Sequence, residues 1–186
     1  MSQREIERPI GFQAKLLKPT DVAGKQSWTF LILPKAASNK LSSRGMVGID
    51  GTLNGTAFTA VLEPDGQKGH WLKVSEALRK KAGVSVGDTV TLEIGPAKNE
   101  PEPRVPADLK QALSAAPEAA GAWDDLTTLA RRDWVQWIEG AKKAETRQRR
   151  INNACDMLAS GKRRVCCFDR SGFYSKEFSV PKAADD

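Results

Sequence analysis

Residues 12–16 read Phe12-Gln-Ala-Lys-Leu16, and residues 58–62 read Phe58-Thr-Ala-Val-Leu62. In each run Phe, Ala and Leu recur at period two, so an extended chain sets all three on one face. The echo continues outward. Trp28, Pro34 and Gly45-Met-Val-Gly-Ile49 follow the first run; Trp71, Ala77 and Gly87-Asp-Thr-Val-Thr91 follow the second. Two half-units are therefore predicted, each an F-x-A-x-L strand, a Trp-led strand and a Gly-led strand. Such a half cannot cover its own apolar face; pairing two of them closes a barrel and removes the open strand edges. Asn54-Gly55 is the strongest hairpin signal in the chain. Gly45, Gly48, Gly51 and Gly55 are read as turn residues, since they form neither G-x-G-x-x-G before a helix nor a Walker sequence. In the second half, Ser75 to Ala82 is predicted to be a helix, capped by Ser75 and stopped by Gly83.

The first hundred residues thus read as all-β, and the rest of the chain does not. Pro96, Pro101, Pro103 and Pro106 crowd a semi-extended linker. Pro106 then suits the first turn of a helix whose stripe is Leu109, Ala112 and Leu113, stopped by Pro117. A second helix is predicted over 128–143, with Trp134, Trp137, Ile138 and Ala141 at helical spacing. A third runs over 145–160, with Ile151, Ala154, Cys155 and Leu158 on one face and Gly161 as its cap. Arg164 to Phe168, a turn at 169–172, and Phe173 to Phe178 suggest a hairpin, which must dock on something because a lone hairpin is marginal in water. Residues 181–186 are expected to fray. The expected divisions are a barrel over 8–96, a linker over 97–105, a helical unit over 106–161, and a hairpin with flexible tail over 162–186.

The run Trp137-Ile-Glu-Gly-Ala-Lys-Lys-Ala-Glu-Thr-Arg-Gln-Arg-Arg-Ile151 resembles the YdeI/OmpD-associated domain, whose motif is close to W-I-x-x-A-K-x-x-E-T-R-x-R-R-I. Val105 to Leu109, Ala112-Leu113, and Trp123 with Leu126 are similar to that domain's opening. Ahead of it, Trp28 with Leu33-Pro34, the run 51–56 and the run 86–90 resemble a domain of unknown function that often precedes it. The resemblance spans roughly residues 10–161. It implies a barrel of the double-split type found in swapped-hairpin transcription factors and antitoxins, and a link to bacteriocin protection or to an outer-membrane porin. The expected fold class is β + α, a pseudo-repeated double-split-type β-barrel, then a small three-helix module and a C-terminal hairpin.

Composition narrows the function classes. The chain has 186 residues, 40% of them hydrophobic, with five Trp, enough to build a core in each part. Trp28 to Leu33 is its longest apolar stretch, far short of the roughly 20 residues that cross a bilayer, and residues 1–17 lack the apolar centre of a signal peptide. Membrane insertion is not expected. Three cysteines, two of them adjacent, disfavour an ordinary disulfide framework and suit a reducing cytoplasm. With no C-x-x-C and a single histidine, no metal site is expected and no cofactor is implied. The net charge of +6 is spread thinly, with local basic knots at Arg147, Arg149 and Arg150 and at Lys162, Arg163 and Arg164. That is a weak footprint for nucleic acid, which normally meets a clustered basic face.

Two constellations are candidates for function. Lys142, Lys143, Glu145, Arg147, Arg149 and Arg150 combine guanidinium and ammonium groups suited to an anionic ligand or protein partner. The simpler reading of the same residues is local helix pairing, Glu139 with Lys143 and Glu145 with Arg149 at i,i+4, or a buried charge network of Glu145, Arg147 and Arg150 bracing the bundle against the barrel. Trp134 and Trp137 share a helix face and would form a stacking platform, unless they simply pack in the core. His70 lacks a recognisable nucleophile and orienting acid, so no catalytic residue is assigned, and it is read as structural or exposed. The expected role is a non-catalytic binding or protective protein, which the family resemblance implies acts in resistance to bacteriocins and cationic peptides or in envelope stress. A nucleic-acid-binding regulator and an enzyme with an unrecognised site are the alternatives.

Overall fold

The computed structural model describes residues 8–20 and 27–184. Residues 1–7, within the stretch read as lacking a signal peptide, and residues 185–186 of the tail lie outside them. Two units divide the chain, one of residues 1–99 with 171–186, the other of residues 100–170.

In the first unit, strands β1 (Ile10–Lys15), β2 (Thr29–Ile32), β3 (Val47–Leu53), β4 (Thr56–Pro64), β5 (His70–Val74) and β6 (Thr89–Pro96) form one antiparallel sheet in the order β1-β6-β3-β4-β5-β2. Leu17 and Phe30 exchange backbone hydrogen bonds of 2.8 and 2.9 Å, which joins the end of β1 to β2 and nearly closes the barrel. Both F-x-A-x-L runs face inward, as the period-two pattern requires: Phe12, Ala14, Phe58 and Ala60 pack against a core containing Leu16, Leu62, Ile49 and Leu92. Asn54 (φ 47°) and Gly55 (φ 80°) both lie in the left-handed region, the type I′ geometry of a two-residue hairpin between β3 and β4. Gly48 and Gly51, by contrast, are strand residues of β3 rather than turn residues. A Cβ on Gly51 would lie 2.4 Å from the Glu93 carbonyl oxygen, so glycine there permits the close approach of β3 and β6.

Helix α1 (Lys35–Ser38) is a single turn, and α2 (Glu76–Ala82) carries the predicted caps. The Ser75 hydroxyl accepts from the Leu78 amide at 3.2 Å, and Gly83 ends α2 at φ 66°.

The second unit holds four helices instead of three, α3 (Ala107–Ser114), α4 (Pro117–Asp124), α5 (Thr128–Glu139) and α6 (Ala144–Ala159). Pro117, a stop signal by sequence, also starts the next helix, because proline at the first helical position gives up an amide that has no intrahelical acceptor. Leu109, Leu113, Trp123, Trp134, Ile138, Ile151, Ala154 and Leu158 form the core of this unit.

No hairpin forms over 164–180. Cys167 (φ 57°), Gly172 (φ 68°) and Lys176 (φ 57°) turn the chain out of extended geometry too often for a ladder. The far end is not frayed where it is described. Thr20 donates to the Lys182 carbonyl at 2.9 Å and Ala184 to that of Lys18 at 2.8 Å, while Lys68 sits 4.3 Å from the Phe173 ring centroid.

Candidate functional site

The corner between α5 and α6 gathers the sequence candidates. Helix α5 ends at Glu139, with Gly140 at its C-cap, and α6 begins at Ala144. Glu139 and Lys143 therefore sit on different sides of a helix break, and the expected i,i+4 pair has no helix to form on. Glu145 and Arg149 share α6 but make no ion pair among the described residues. The carboxylate of Glu145 instead lies in the first turn of α6, where the helix dipole favours it.

Arg147 reaches across to the first turn of α3, where its Nε and Nη2 donate to Asp108 Oδ2 and Oδ1 at 2.6 and 2.9 Å. This bidentate geometry holds the Asp108 carboxyl below the usual carboxylate range and raises Arg147 further. Glu139 is close enough to feel the same pair. Desolvation pushes its carboxyl up, Asp108 adds to that, and Arg147 and Arg104 oppose it. Arg150 donates from Nη1 to the Trp137 carbonyl oxygen, and its guanidinium lies 5.3 Å from the Trp137 ring centroid. Arg147 and Arg150 thus tie α6 to the start of α3 and the end of α5. The exposed charges of the corner are Glu139, Lys142, Lys143, Glu145 and Arg149.

Trp134 is fully buried, and Trp137 is half-buried with its ring edge-on, centroids 6.0 Å apart at 77°. The two share a helix face, but Trp134 offers no ring surface to solvent. His70 is likewise fully buried; its Nε2 lies 2.9 Å from the Gly45 carbonyl, and burial lowers its pKa.

Two features escaped the sequence reading. A cavity of about 230 Å³ in the barrel unit is lined by Ile10, Leu41, Val47, Ile49 and Ile94 with Arg8 and Lys40; alternation identifies its strand residues, and the pairing of β1, β6 and β3 sets them side by side. Glu100 and Glu102, read as linker, meet Arg132 at 2.8 Å and Arg131 at 3.0 Å on α5. Among the basic residues beyond α6, Arg163 lies 3.8 Å from Asp125.

Residues 102–161 match the family described as "Bacteriocin-protection, YdeI or OmpD-Associated", and residues 12–94 match a domain of unknown function, DUF1905. No curated protein matches the chain. Among the described residues no helix is long and apolar enough to cross a membrane.

Proposed function

We propose, for a chain that joins a DUF1905 domain to a YdeI/OmpD-associated domain, a protective binding role without chemistry of its own, exercised from the cytoplasm in resistance to bacteriocins and cationic peptides. The observation that carries this reading is the division of labour at the α5–α6 corner. Arg147 and Arg150 are engaged inside the helical unit, while Lys142, Lys143 and Arg149 stand exposed around the same motif. Exposed cations on a braced scaffold suit an acidic surface of a partner protein. A cationic peptide is not the ligand of this corner, because like charges repel. The barrel is read as two duplicated halves of the double-split type. Supporting this, the ring of strands closed by the Leu17–Phe30 bridge maps onto itself when β1 exchanges with β4, β2 with β5 and β3 with β6.

The test compares survival of cells lacking the gene, challenged with a bacteriocin or a cationic peptide, after complementation with the wild type or with the triple variant Lys142→Glu, Lys143→Glu, Arg149→Glu. Wild type is expected to restore survival and the triple variant to fail at an unchanged melting temperature. A deletion strain as resistant as its parent removes the protective role. A fully protective triple variant moves the contact away from this corner. Steeply salt-dependent retention of the purified protein on DNA would put a nucleic-acid partner in place of the acidic protein.

A further inference from the structure

The segment after α6 carries Cys166 and Cys167, both exposed, with their sulfurs 3.2 Å apart. This pair does not sit on a loose tail. Arg163 lies 3.8 Å from Asp125 on one side, Arg170 pairs with Asp133 of α5 at 2.8 Å on the other, and Val165 packs against the helical core. The left-handed backbone at Cys167 (φ 57°) belongs to the turn that brings the two side chains to one side. Two thiols are thus presented together on an anchored loop, beside the basic run Lys162, Arg163 and Arg164.

The geometry selects among the reactions open to such a pair. Adjacent Cα atoms are about 3.8 Å apart, below the roughly 4.4–6.8 Å of ordinary disulfides, so a direct sulfur–sulfur bond is strained here. A tetrahedral zinc with thiolate bonds of about 2.3 Å holds its sulfurs about 3.8 Å apart and needs further protein ligands. The second condition is not met: among the described residues no group of three or more His, Cys, Asp or Glu is placed to hold a metal. For a bridging atom with sulfur bonds of about 2.3 Å, a separation of 3.2 Å corresponds to an angle of roughly 90° at that atom. Right-angled, two-sulfur bonding is the preference of pyramidal trivalent arsenic bearing one organic group.

We propose that Cys166 and Cys167 form a vicinal dithiol site that captures monosubstituted trivalent arsenicals and related thiophilic centres. The reaction is a ligand exchange. Two arsenic–sulfur bonds form and two arsenic–hydroxyl bonds break; each hydroxyl leaves as water with one thiol proton, and arsenic stays trivalent. Cys155 lies half-buried on α6, where burial raises its thiol pKa, and serves as an internal control. The inference goes beyond the protective reading above and does not depend on it.

The test uses the full-length, pre-reduced protein with phenylarsine oxide in the presence of millimolar glutathione. One phenylarsenic group per chain is expected by intact mass, with titratable thiols falling from three to one. Dimercaptopropanol should release the adduct and glutathione should not. Because the second thiol acts at high effective concentration, Cys166→Ser and Cys167→Ser should each weaken capture by about 100-fold or more. Cys155→Ser should leave capture unchanged, and matching circular dichroism checks that the variants fold. The proposal is overturned if either Cys166→Ser or Cys167→Ser captures within about tenfold of wild type, or if the wild-type thiols react independently of one another.

Discussion

In the barrel unit the backbone makes most of the long-range ties, through five strand pairings and the Leu17–Phe30 closure, and its arginines serve loops: Arg44 donates to the Ser38 and Lys68 carbonyls, and Arg79 to Ser27. In the helical unit backbone hydrogen bonds stay within each helix or its adjoining turn. There guanidinium groups carry the main long-range polar ties, Arg131 to Glu102, Arg132 to Glu100, Arg147 to Asp108, Arg150 to Trp137 and Arg170 to Asp133, beside the Thr128 hydroxyl that donates to Glu102. The contrast comes from what each element leaves unsatisfied. A strand must donate and accept sideways, so a sheet fixes its own register. A helix satisfies itself, so four short helices of 8 to 16 residues are oriented only by side chains. Arginine is the side chain that reaches far and bonds in two directions.

Core truncation should produce the largest effect and test whether the helical unit also depends on its apolar centre. Trp134 is fully buried, and Trp134→Ala should cost about 3–5 kcal/mol by chemical denaturation. A loss under about 1 kcal/mol would mean that the charged ties alone hold the helices.

Arg132 sharpens the comparison next, because its side chain is 7% exposed and its partner Glu100 is 33% exposed. Arg132→Ala should cost about 2–3 kcal/mol, less than a fully buried pair because Glu100 can rehydrate. The loss should persist at about 1 M salt, where only exposed pairs are strongly screened. A neutral result would reduce this tie to a surface contact.

Arg147→Ala should cost about 1 kcal/mol, since Asp108 is 43% exposed and solvent screens the pair. Its pH signature is diagnostic. The Asp108 carboxyl is depressed in the folded state, so its contribution is present above the unfolded value of 3.8 and disappears as pH falls below it. Denaturation of wild type and of Arg147→Ala should therefore converge in acid; a difference that stays constant well below that value would contradict the assignment.

The smallest effect concerns the barrel. His70 is buried and its pKa is lowered, so its neutral form is favoured by folding. Stability is full above the unfolded value of 6.5 and declines as pH falls through the lower folded value. His70→Gln, which keeps a donor for the Gly45 carbonyl, should flatten the decline just below pH 6.5 in thermal melts. An identical slope in the variant would place the proton uptake elsewhere.

Much of this molecule was legible in its residues. Period-two apolar runs at 12–16 and 58–62, the Asn54-Gly55 turn and the Ser75 and Gly83 caps are local signals, and each is met locally in the structure. The helical motif at 137–151 was legible as a motif, but the buried network of Glu145, Arg147 and Arg150 expected to brace the bundle against the barrel is not what forms: Arg147 and Arg150 bond within the helical unit, to Asp108 and Trp137, and Glu145 takes no part. What the sequence withheld was partner choice. It offered Glu139 to Lys143 and Glu145 to Arg149 by spacing, whereas Arg147 takes Asp108, thirty-nine residues away, because the break at Gly140 turns α6 toward the start of α3. The same holds for Pro117, a stop by propensity and a start once a following helix packs, and for residues 164–180, patterned like a hairpin but kept as turns. Local chemistry sets which elements form. Only the packed chain decides which charges and which sulfurs meet, because pairing energy depends on distance and burial, and neither is written in spacing along the sequence.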